Sequence, residues 1–240
     1  MTDGFLMGSR LPYDGSREPI NIMDGILLLN KPAGITSHDV VDIVRKKFNI
    51  KKVGHAGTLD PIARGLLVIL IGKATKLSST FVQDDKEYVA TLFLGKRTDT
   101  QDSTGRVIEE KNVNNLDIDC IKKTLSAFMG SLDQVPPMVS AKRYKGKRLY
   151  ELAREGKSVP RQPQSIQIYA IDLLDFNSPE IVFRVRCSKG TYVRTLCEEI
   201  GKTLGYPAHM SDLLRTRSGI FSLKEAKDLD TVSEKDIHFI

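Results

Sequence analysis

The stretch Gly54-His55-Ala56-Gly57-Thr58-Leu59-Asp60-Pro61 holds one carboxylate in a glycine-bracketed segment, near a histidine and directly ahead of a proline. Pro61 disfavours helical backbone at Asp60, and Gly54 and Gly57 can adopt turn conformations closed to other residues. The stretch therefore predicts a loop that presents Asp60 rather than a helix that buries it. The alternative is an ordinary surface turn, because aspartate before proline is common turn chemistry.

The segment that follows this loop is apolar without interruption. Residues 66–71 have the length of a strand and end at Gly72. Such a run is typical of a strand buried on both faces. A carboxylate a few residues from a rigid central strand is a candidate catalytic group, and Asp60 is therefore the first candidate site residue.

The composition fits a folded, basic protein. A chain of 240 residues with 40% hydrophobic content can form one large domain, or one domain with an appendage. The formal charge of +6 favours a polyanionic partner, although such a charge also occurs in proteins that never bind nucleic acid. We find no signal-peptide pattern and no apolar run near the ~20 residues that span a bilayer. The sequence predicts a cytoplasmic location.

The cysteines predict neither a disulfide framework nor a metal site. Cys120, Cys187 and Cys197 are odd in number and far apart, with no CxxC or histidine ligand pattern around them. Cys197 lies in an amphipathic helical pattern, which predicts a small buried apolar side chain.

A basic cluster surrounds an aromatic residue between positions 142 and 148. It combines Tyr144 and Gly146 with five cationic side chains: Lys142, Arg143, Lys145, Lys147 and Arg148. Cations around an aromatic face suit phosphates together with a sugar or base. The alternative is a solvated charged loop.

Three parts of the chain differ in character. Residues 1–23 have no periodic apolar face and predict a mobile tail. Residues 24–240 predict the folded domain, with residues 96–163 as an inserted or flanking subdomain. A strand is predicted over residues 25–31, and after it Thr36 or Ser37 would cap a helix with an inward face of Val40, Val41, Val44 and Phe48.

Further elements follow from the same patterns. We expect a helix after Gly72, a strand over residues 88–94, a helix carrying Ile121 and Leu125, and strands over 165–176 and 181–187. A helix from Tyr192 to Gly205 would place Arg194 in its first turn, just after a strand. Residues 220–223 predict a last strand.

Several enzyme classes lack their motifs. The sequence has no G-x-G-x-x-G after a strand, no G-x-x-x-x-G-K-[ST], no G-x-S-x-G, and no H-x-E with P-C-x-x-C. Dinucleotide, Walker-type nucleotide, serine hydrolase and zinc deaminase chemistry therefore lose support. Asp60, Tyr88, Arg194 and scattered cations remain, a set suited to cofactor-free chemistry on a base held out of its stack.

Five separated motifs strongly resemble the bacterial TruB-type tRNA pseudouridine synthases. They are the Gly54 to Pro61 stretch, Lys86-Glu87-Tyr88, Arg97-Thr98-Asp99-Thr100, Val135-Pro136-Pro137 with Ser140-Ala141, and Cys187 to Arg194. The resemblance runs from about Gly25 beyond Arg215. It implies an α/β (α+β) fold in which a central mixed, mostly antiparallel sheet is flanked by helices and loops.

The resemblance also implies an activity and its partners. The expected reaction isomerises the T-loop uridine conventionally numbered 55 in tRNA, without metal or organic cofactor. The expected partner is the tRNA T stem-loop, with no membrane, no obligate protein partner and a monomeric enzyme. The choice between a covalent adduct of Asp60 and a glycal intermediate stays open.

Residue roles are carried over by position. Asp60 matches the catalytic aspartate, Tyr88 the tyrosine that stacks on the target uracil, and Arg194 the arginine that pairs with the aspartate. Lys31 and Leu213 match positions that line the pocket, and His55 matches a histidine against the T-loop, hence an RNA contact rather than a general base. The candidates for RNA-backbone contacts are Lys51, Lys52, Lys142, Arg143, Lys145, Lys147, Arg148, Arg215 and Arg217.

One departure from the family pattern stands out. Bacterial members commonly continue into a small C-terminal PUA-type domain, which we expect to be absent here, with a weaker grip on tRNA. Two other functions stay open: an RNA-binding or folding module without chemistry, and the same chemistry on another structured RNA.

Overall fold

The protein is built on a mixed β-sheet of eleven strands. The computed structural model describes residues 24–114 and 116–239, so the tail predicted for residues 1–23 lies outside the described residues. The strands are β1 (Gly25–Lys31), β2 (Val53–Ala56), β3 (Arg64–Ile71), β4 (Lys86–Leu94), β5 (Lys96–Thr98), β6 (Val107–Glu110), β7 (Gly130–Gln134), β8 (Arg143–Tyr144), β9 (Lys147–Arg148), β10 (Gln164–Asn177), β11 (Glu180–Cys187), β12 (Ala208–Ser218), β13 (Phe221–Ser222), β14 (Lys227–Asp228) and β15 (His238–Phe239). The α-helices are α1 (Ser37–Lys47), α2 (Ser78–Val82), α3 (Ile118–Ala127), α4 (Leu149–Arg154) and α5 (Val193–Thr203).

The main sheet runs in the order β14-β1-β3-β12-β4-β11-β10-β7, with β2, β13 and β15 attached to β3, β12 and β1. Most neighbours are antiparallel, whereas β12 pairs with β3 in parallel and β14 with β1 in parallel. The predicted fold class, a mixed and mostly antiparallel sheet flanked by helices, is confirmed.

Strand β3 lies at the centre, as the uninterrupted apolar run predicts. Leu67, Ile69 and Ile71 join the main core, and Leu66, Val68 and Leu70 join a second cluster on the opposite face. Because both faces are covered, no polar side chain interrupts the run.

Strand β12 is a central strand that the sequence analysis did not predict. It lies between β3 and β4, and register shifts interrupt its pairing with β4 between Met210 and Asp212 and again between Arg215 and Arg217. Each shift moves the following side chains to the other face, so the two-residue alternation that announces a strand is lost.

The elements that carry the site begin where the sequence predicts. Thr36 caps α1 and forms a capping box with Asp39. In β4 every second residue from Lys86 to Leu94 is buried. Helix α5 starts after Tyr192, so Arg194 occupies its first turn. After Gly72 the chain forms a 3-10 turn over Gly72–Leu77 before α2, rather than one continuous helix.

The segment of residues 96–163 adds one strand to the main sheet and also contacts β12 through the backbone near Asp102. Its strand β7 pairs with β10 at the sheet edge, while β5–β6 and β8–β9 form separate hairpins.

Cys197 is fully buried in the core, as predicted.

No helix among residues 24–114 and 116–239 is long and apolar enough to cross a membrane.

Candidate functional site

The Asp60 loop is held by a buried hydroxyl. Residues 54–56 belong to β2 rather than to the predicted loop, and the loop itself spans the gap from Gly57 to β3. Gly57 has a φ of +87°, a conformation that side chains disfavour. The Ser37 hydroxyl accepts from Leu59 N–H at 2.8 Å and donates to Leu59 C=O at 3.1 Å. The peptide next to Asp60 is therefore fixed to the start of α1.

Lys31 supports this loop from below and does not line the pocket, contrary to its expected role. The side chain is fully buried, and its ammonium donates to the carbonyls of Pro32, Ile35 and, at 3.4 Å, Pro61. Burial lowers the pKa of Lys31 to about 8, with Asp60 opposing that shift. Its ammonium therefore connects the backbone next to Asp60 to the segment between β1 and α1.

Arg215 is also placed differently from the prediction. It is only 1% exposed, whereas the prediction as an RNA-backbone contact anticipated an exposed cation. Its guanidinium donates to Leu66 C=O at 2.7 Å and to Gly57 C=O at 3.1 Å. Arg215 on β12 lies opposite Tyr88 on β4 in the strand register. It therefore connects the Asp60 loop to the strand position that carries the Tyr88 ring.

Asp60 and Arg194 form the ion pair that the resemblance implied. Arg194 Nε lies 2.9 Å from Asp60 Oδ2, and the Asp60 side chain keeps 36% exposure while Arg194 keeps 3%. The other guanidinium nitrogens donate to Thr100 C=O at 3.0 Å and Val139 C=O at 2.8 Å. A single contact from Nε therefore holds Asp60, although arginine can bind a carboxylate through two nitrogens.

A second carboxylate completes this network. Asp102 Oδ2 lies 3.4 Å from Arg194 Nη1, and Asp102 is buried. Its Oδ1 accepts from the hydroxyls of Thr100 and Thr104 and from Thr104 N–H. The sequence analysis did not identify Asp102, because a lone aspartate in a turn has no distinguishing spacing.

These charges shift the titration of Asp60. Desolvation raises the pKa of the Asp60 carboxyl, Arg194 opposes that shift, and Asp102 adds to it. The carboxylate is thus more basic than an ordinary aspartate while its partner keeps it in one orientation.

A cavity of about 250 Å³ opens beside Asp60. Asp60 and Arg194 lie on its wall together with Tyr88 and Leu213, which are 9% and 5% exposed. Ligand cavities commonly span roughly 300–1,000 Å³, so this one suits a single flat ring better than a longer ligand. The structure therefore brings Asp60, Tyr88, Arg194 and Leu213 together at one cavity.

A glutamine clamp sets the start of α5. Gln134, on β7, accepts from Tyr192 N–H at 2.8 Å and donates to Tyr192 C=O at 3.1 Å. The amide thus pairs with both backbone groups of the residue before the helix, two positions ahead of Arg194. Sequence analysis missed Gln134 because this contact joins residues 58 positions apart.

His55 lies on β2 and is partly buried. Burial, together with the smaller effects of the positive charges of Arg215 and His38, lowers its pKa to about 4. A histidine that stays neutral at physiological pH can contact a ligand but does not carry a cationic charge there.

The basic cluster forms an exposed hairpin. Strands β8 and β9 pair Tyr144 with Lys147, and Lys145 and Gly146 between them both have positive φ, at 46° and 87°. Two positive φ values define the type I′ turn that suits a two-residue hairpin. The five cations are exposed.

The remaining cations predicted to contact the RNA backbone are exposed. Lys51 and Lys52 are exposed between α1 and β2, and Arg217 is exposed near the end of β12. Within the two described ranges, no group of three or more His, Cys, Asp or Glu side chains could hold a metal ion.

Comparison with known proteins places this geometry in a family. Residues 45–193 match the family model of the TruB family pseudouridylate synthase N-terminal domain, and residues 194–238 match that of the tRNA pseudouridylate synthase B C-terminal domain. The chain is 47% identical over 210 residues to tRNA pseudouridine synthase B of Syntrophotalea carbinolica, covering 88% of this chain and 69% of the relative. It is 44% identical over 217 residues to tRNA pseudouridine synthase B of Endomicrobium trichonymphae, covering 89% of this chain and 94% of the relative.

A solved structure agrees at the level of the backbone. A chain of a Cbf5-Nop10-Gar1 complex superposes with a TM-score of 0.71 and 31% identity, covering 91% of this chain and 60% of that chain. This chain therefore spans about three fifths of the solved one. From the two family models and the identity to these relatives, the chain belongs to the TruB family of pseudouridylate synthases.

Proposed function

We propose that this protein converts the T-loop uridine at position 55 of tRNA to pseudouridine, with Asp60 as the catalytic group and the target base everted into the cavity. The observation that carries the proposal is the position of Asp60, paired with Arg194 at 2.9 Å and still 36% exposed, on the wall of a cavity that Tyr88 also lines. The names of the relatives support tRNA as the substrate.

The chemistry needs few groups. The bond between C1′ and N1 of the uridine breaks, a bond between C1′ and C5 forms, C5 loses a proton and N1 gains one. The reaction is an isomerisation, so neither an oxidant nor a second substrate enters the balance. A carboxylate beside the ribose can act as nucleophile or base, and both routes use Asp60 in its ionised form.

The surrounding residues would orient this carboxylate. Arg194 is itself held by two carbonyls and Asp102, so it fixes one Asp60 oxygen without moving. The loop backbone is held by Ser37, and fixed groups of this kind reduce reorganisation during the reaction.

Tyr88 and Leu213 would hold the detached uracil by its faces. Stacking grips a ring without fixing one edge, which leaves the ring free to turn until C5 faces C1′. The everted base costs a few kcal/mol of unstacking, which phosphate contacts can supply. The β8–β9 hairpin, Lys51, Lys52 and Arg217 are the exposed cations we assign to that role.

A different RNA substrate is the second candidate. Its support is the TM-score of 0.66 with 30% identity to a chain of an H/ACA RNP bound to a substrate RNA, covering 87% of this chain and 52% of that chain. The higher identity to tRNA pseudouridine synthases favours tRNA.

The direct test is liquid chromatography with mass spectrometry of nucleosides from a tRNA transcript incubated with the purified protein and no added metal, because pseudouridine and uridine have the same mass and differ in retention. We expect one pseudouridine, at the T-loop uridine. A matched transcript with cytidine at that position is the control. Unmodified tRNA, with product only in another stem-loop, would favour the second candidate, and no product in any RNA would favour a binding module.

A further inference from the structure

The charged side chains that line the cavity are engaged with the protein itself, and so is Thr191. Arg194 binds Asp60 and two carbonyls, and Arg215 binds carbonyls of Gly57 and Leu66. Lys86 donates to the carbonyls of Phe81, Val82 and Asp84, and Thr191 donates to Ser188 C=O. These groups have little capacity left for a ligand.

Ser140 is different. It lines the same cavity and is 5% exposed, yet its hydroxyl oxygen is buried and has no hydrogen-bond partner among the described residues. Its backbone is fixed, since Ser140 N–H donates to Met138 C=O at 3.0 Å and Ser140 C=O accepts from Tyr150 N–H at 3.0 Å. Buried hydroxyls in proteins are normally satisfied, so this one has a donor available to a group that enters the cavity.

The aromatic neighbour of Ser140 marks the same region. Burial raises the pKa of Tyr192, and the Ser140 hydroxyl, which faces the Tyr192 hydroxyl without normal hydrogen-bond geometry, opposes that shift. Tyr192 also lines the cavity, and its backbone is clamped by Gln134, so the wall around Ser140 is rigid.

A uracil ring would bring the missing partner. Its polar edge presents O2, N3–H and O4, and a desolvated carbonyl without a donor costs free energy. Turning the ring over about the line through N3 and C6 exchanges N1 with C5 and O2 with O4. One carbonyl therefore replaces the other at the same place, and a single hydroxyl could donate to whichever carbonyl is there.

We propose that Ser140 is a specificity-determining residue that donates a hydrogen bond to a carbonyl of the target uracil, both before and after the ring turns. This inference rests on the proposed function and adds a base contact to it. Stacking by Tyr88 would hold the faces of the ring, and Ser140 would read its edge.

The test compares Ser140→Ala with the wild type on T stem-loop hairpins that carry uridine, 2-thiouridine or 4-thiouridine at the target position. Sulfur accepts hydrogen bonds poorly. We expect Ser140→Ala to lower kcat/KM on uridine about 3- to 10-fold, the size of one neutral hydrogen bond, with hairpin Kd unchanged. We also expect the loss caused by each thio substitution to be smaller in the variant than in the wild type.

Ser188→Ala is the matched control, because Ser188 lines the same cavity but its hydroxyl already accepts from Gln167 N–H at 2.9 Å. In Ser188→Ala, each thio substitution should lower kcat/KM by the same factor as in the wild type. Ser140→Cys keeps the size of the side chain and a weak donor, so it should fall between wild type and alanine, and it replaces the alanine variant if that one unfolds.

Two results would overturn the proposal: unchanged kcat/KM in Ser140→Ala, or equal thio penalties in variant and wild type. A wild-type protein that forms no pseudouridine in any hairpin would instead overturn the proposed function.

Discussion

Asp60 and Asp102 share one guanidinium: Arg194 Nε lies 2.9 Å from Asp60 Oδ2, and Arg194 Nη1 lies 3.4 Å from Asp102 Oδ2. One carboxylate opens to the cavity and the other is buried beneath the arginine. The arginine thus bridges an exposed acid to a buried one, and the charge of Asp102 raises the pKa of Asp60.

Asp60→Asn should abolish pseudouridine formation while tRNA binding persists. The amide keeps the shape of the side chain and can still accept from Arg194, but it is neither a nucleophile nor a base at neutral pH. Pseudouridine is measured by liquid chromatography with mass spectrometry of the nucleosides, and tRNA binding by filter binding. Turnover within tenfold of wild type in the variant would show that Asp60 does not carry the chemistry.

Asp102→Asn should move the acid limb of the pH–activity profile to lower pH. Activity needs ionised Asp60 and is lost as pH falls through its raised pKa. Because the Asp102 charge contributes to that raised pKa, its removal lowers the pH at which Asp60 protonates. The variant should also lose roughly 1–3 kcal/mol of stability, since Arg194 loses a buried partner. Thr104→Val is the control: it removes a hydrogen bond to Asp102 but no charge. An acid limb displaced upward in Asp102→Asn would contradict the assignment.

Arg215→Met should loosen the Asp60 loop. The substitution leaves the carbonyls of Leu66 and Gly57 without their donor and costs roughly 3 kcal/mol. Amide hydrogen exchange at residues 57–60 should accelerate, and kcat should fall. Arg217→Met, two positions along the same strand but exposed, should leave exchange in the loop unchanged. Equal protection of the loop in both variants would refute a positioning role for Arg215.

Lys31 should make stability rise with pH. Its pKa is about 8 in the folded protein against an ordinary 10.5, so between these values the unfolded chain holds a proton that the folded chain has released. This group's contribution to stability is smallest below pH 8 and increases toward pH 10.5. Relative to Lys31→Met, the wild type should gain up to about 3 kcal/mol across that range.

Denaturant unfolding at several pH values measures this gain. Lys47→Met is the control, because the Lys47 ammonium also donates to two carbonyls, of Leu229 and Asp230, but from an exposed position. A wild-type stability that falls relative to Lys31→Met as pH rises would contradict the assignment.

The β8–β9 hairpin should contribute to the salt dependence of tRNA binding. We expect Kd to rise steeply with salt, and Lys145→Gln and Arg148→Gln each to reduce the log–log slope by about 0.9 through one lost phosphate contact. Lys122→Gln on α3, an exposed cation outside the predicted set, should leave the slope unchanged. If both hairpin variants keep the wild-type salt slope, the hairpin does not contact the RNA backbone.

Much of the fold followed from local patterns. The apolar run of β3, the alternation in β4 and the capping residue of α1 each arise from neighbours in sequence, and all three were predicted. Strand β12 was not, because its register shifts break the alternation and its buried face includes Arg215, a residue usually found at the surface. A strand of this kind is stabilised by neighbours that are distant in the chain.

The sequence by itself determined the catalytic candidates and the family: Asp60, Tyr88 and Arg194 stand in motifs whose residue types and order suffice to identify them. Only the tertiary structure decided what supports them. The roles of Asp102, Gln134 and Ser140 follow from their surroundings in the fold. Lys31 and Arg215 were predicted to face a ligand, and the structure shows both as buried side chains that support the loop. The physical reason is that a side chain's partners are set by packing, which brings together groups far apart in sequence and determines which of their polar atoms are already satisfied.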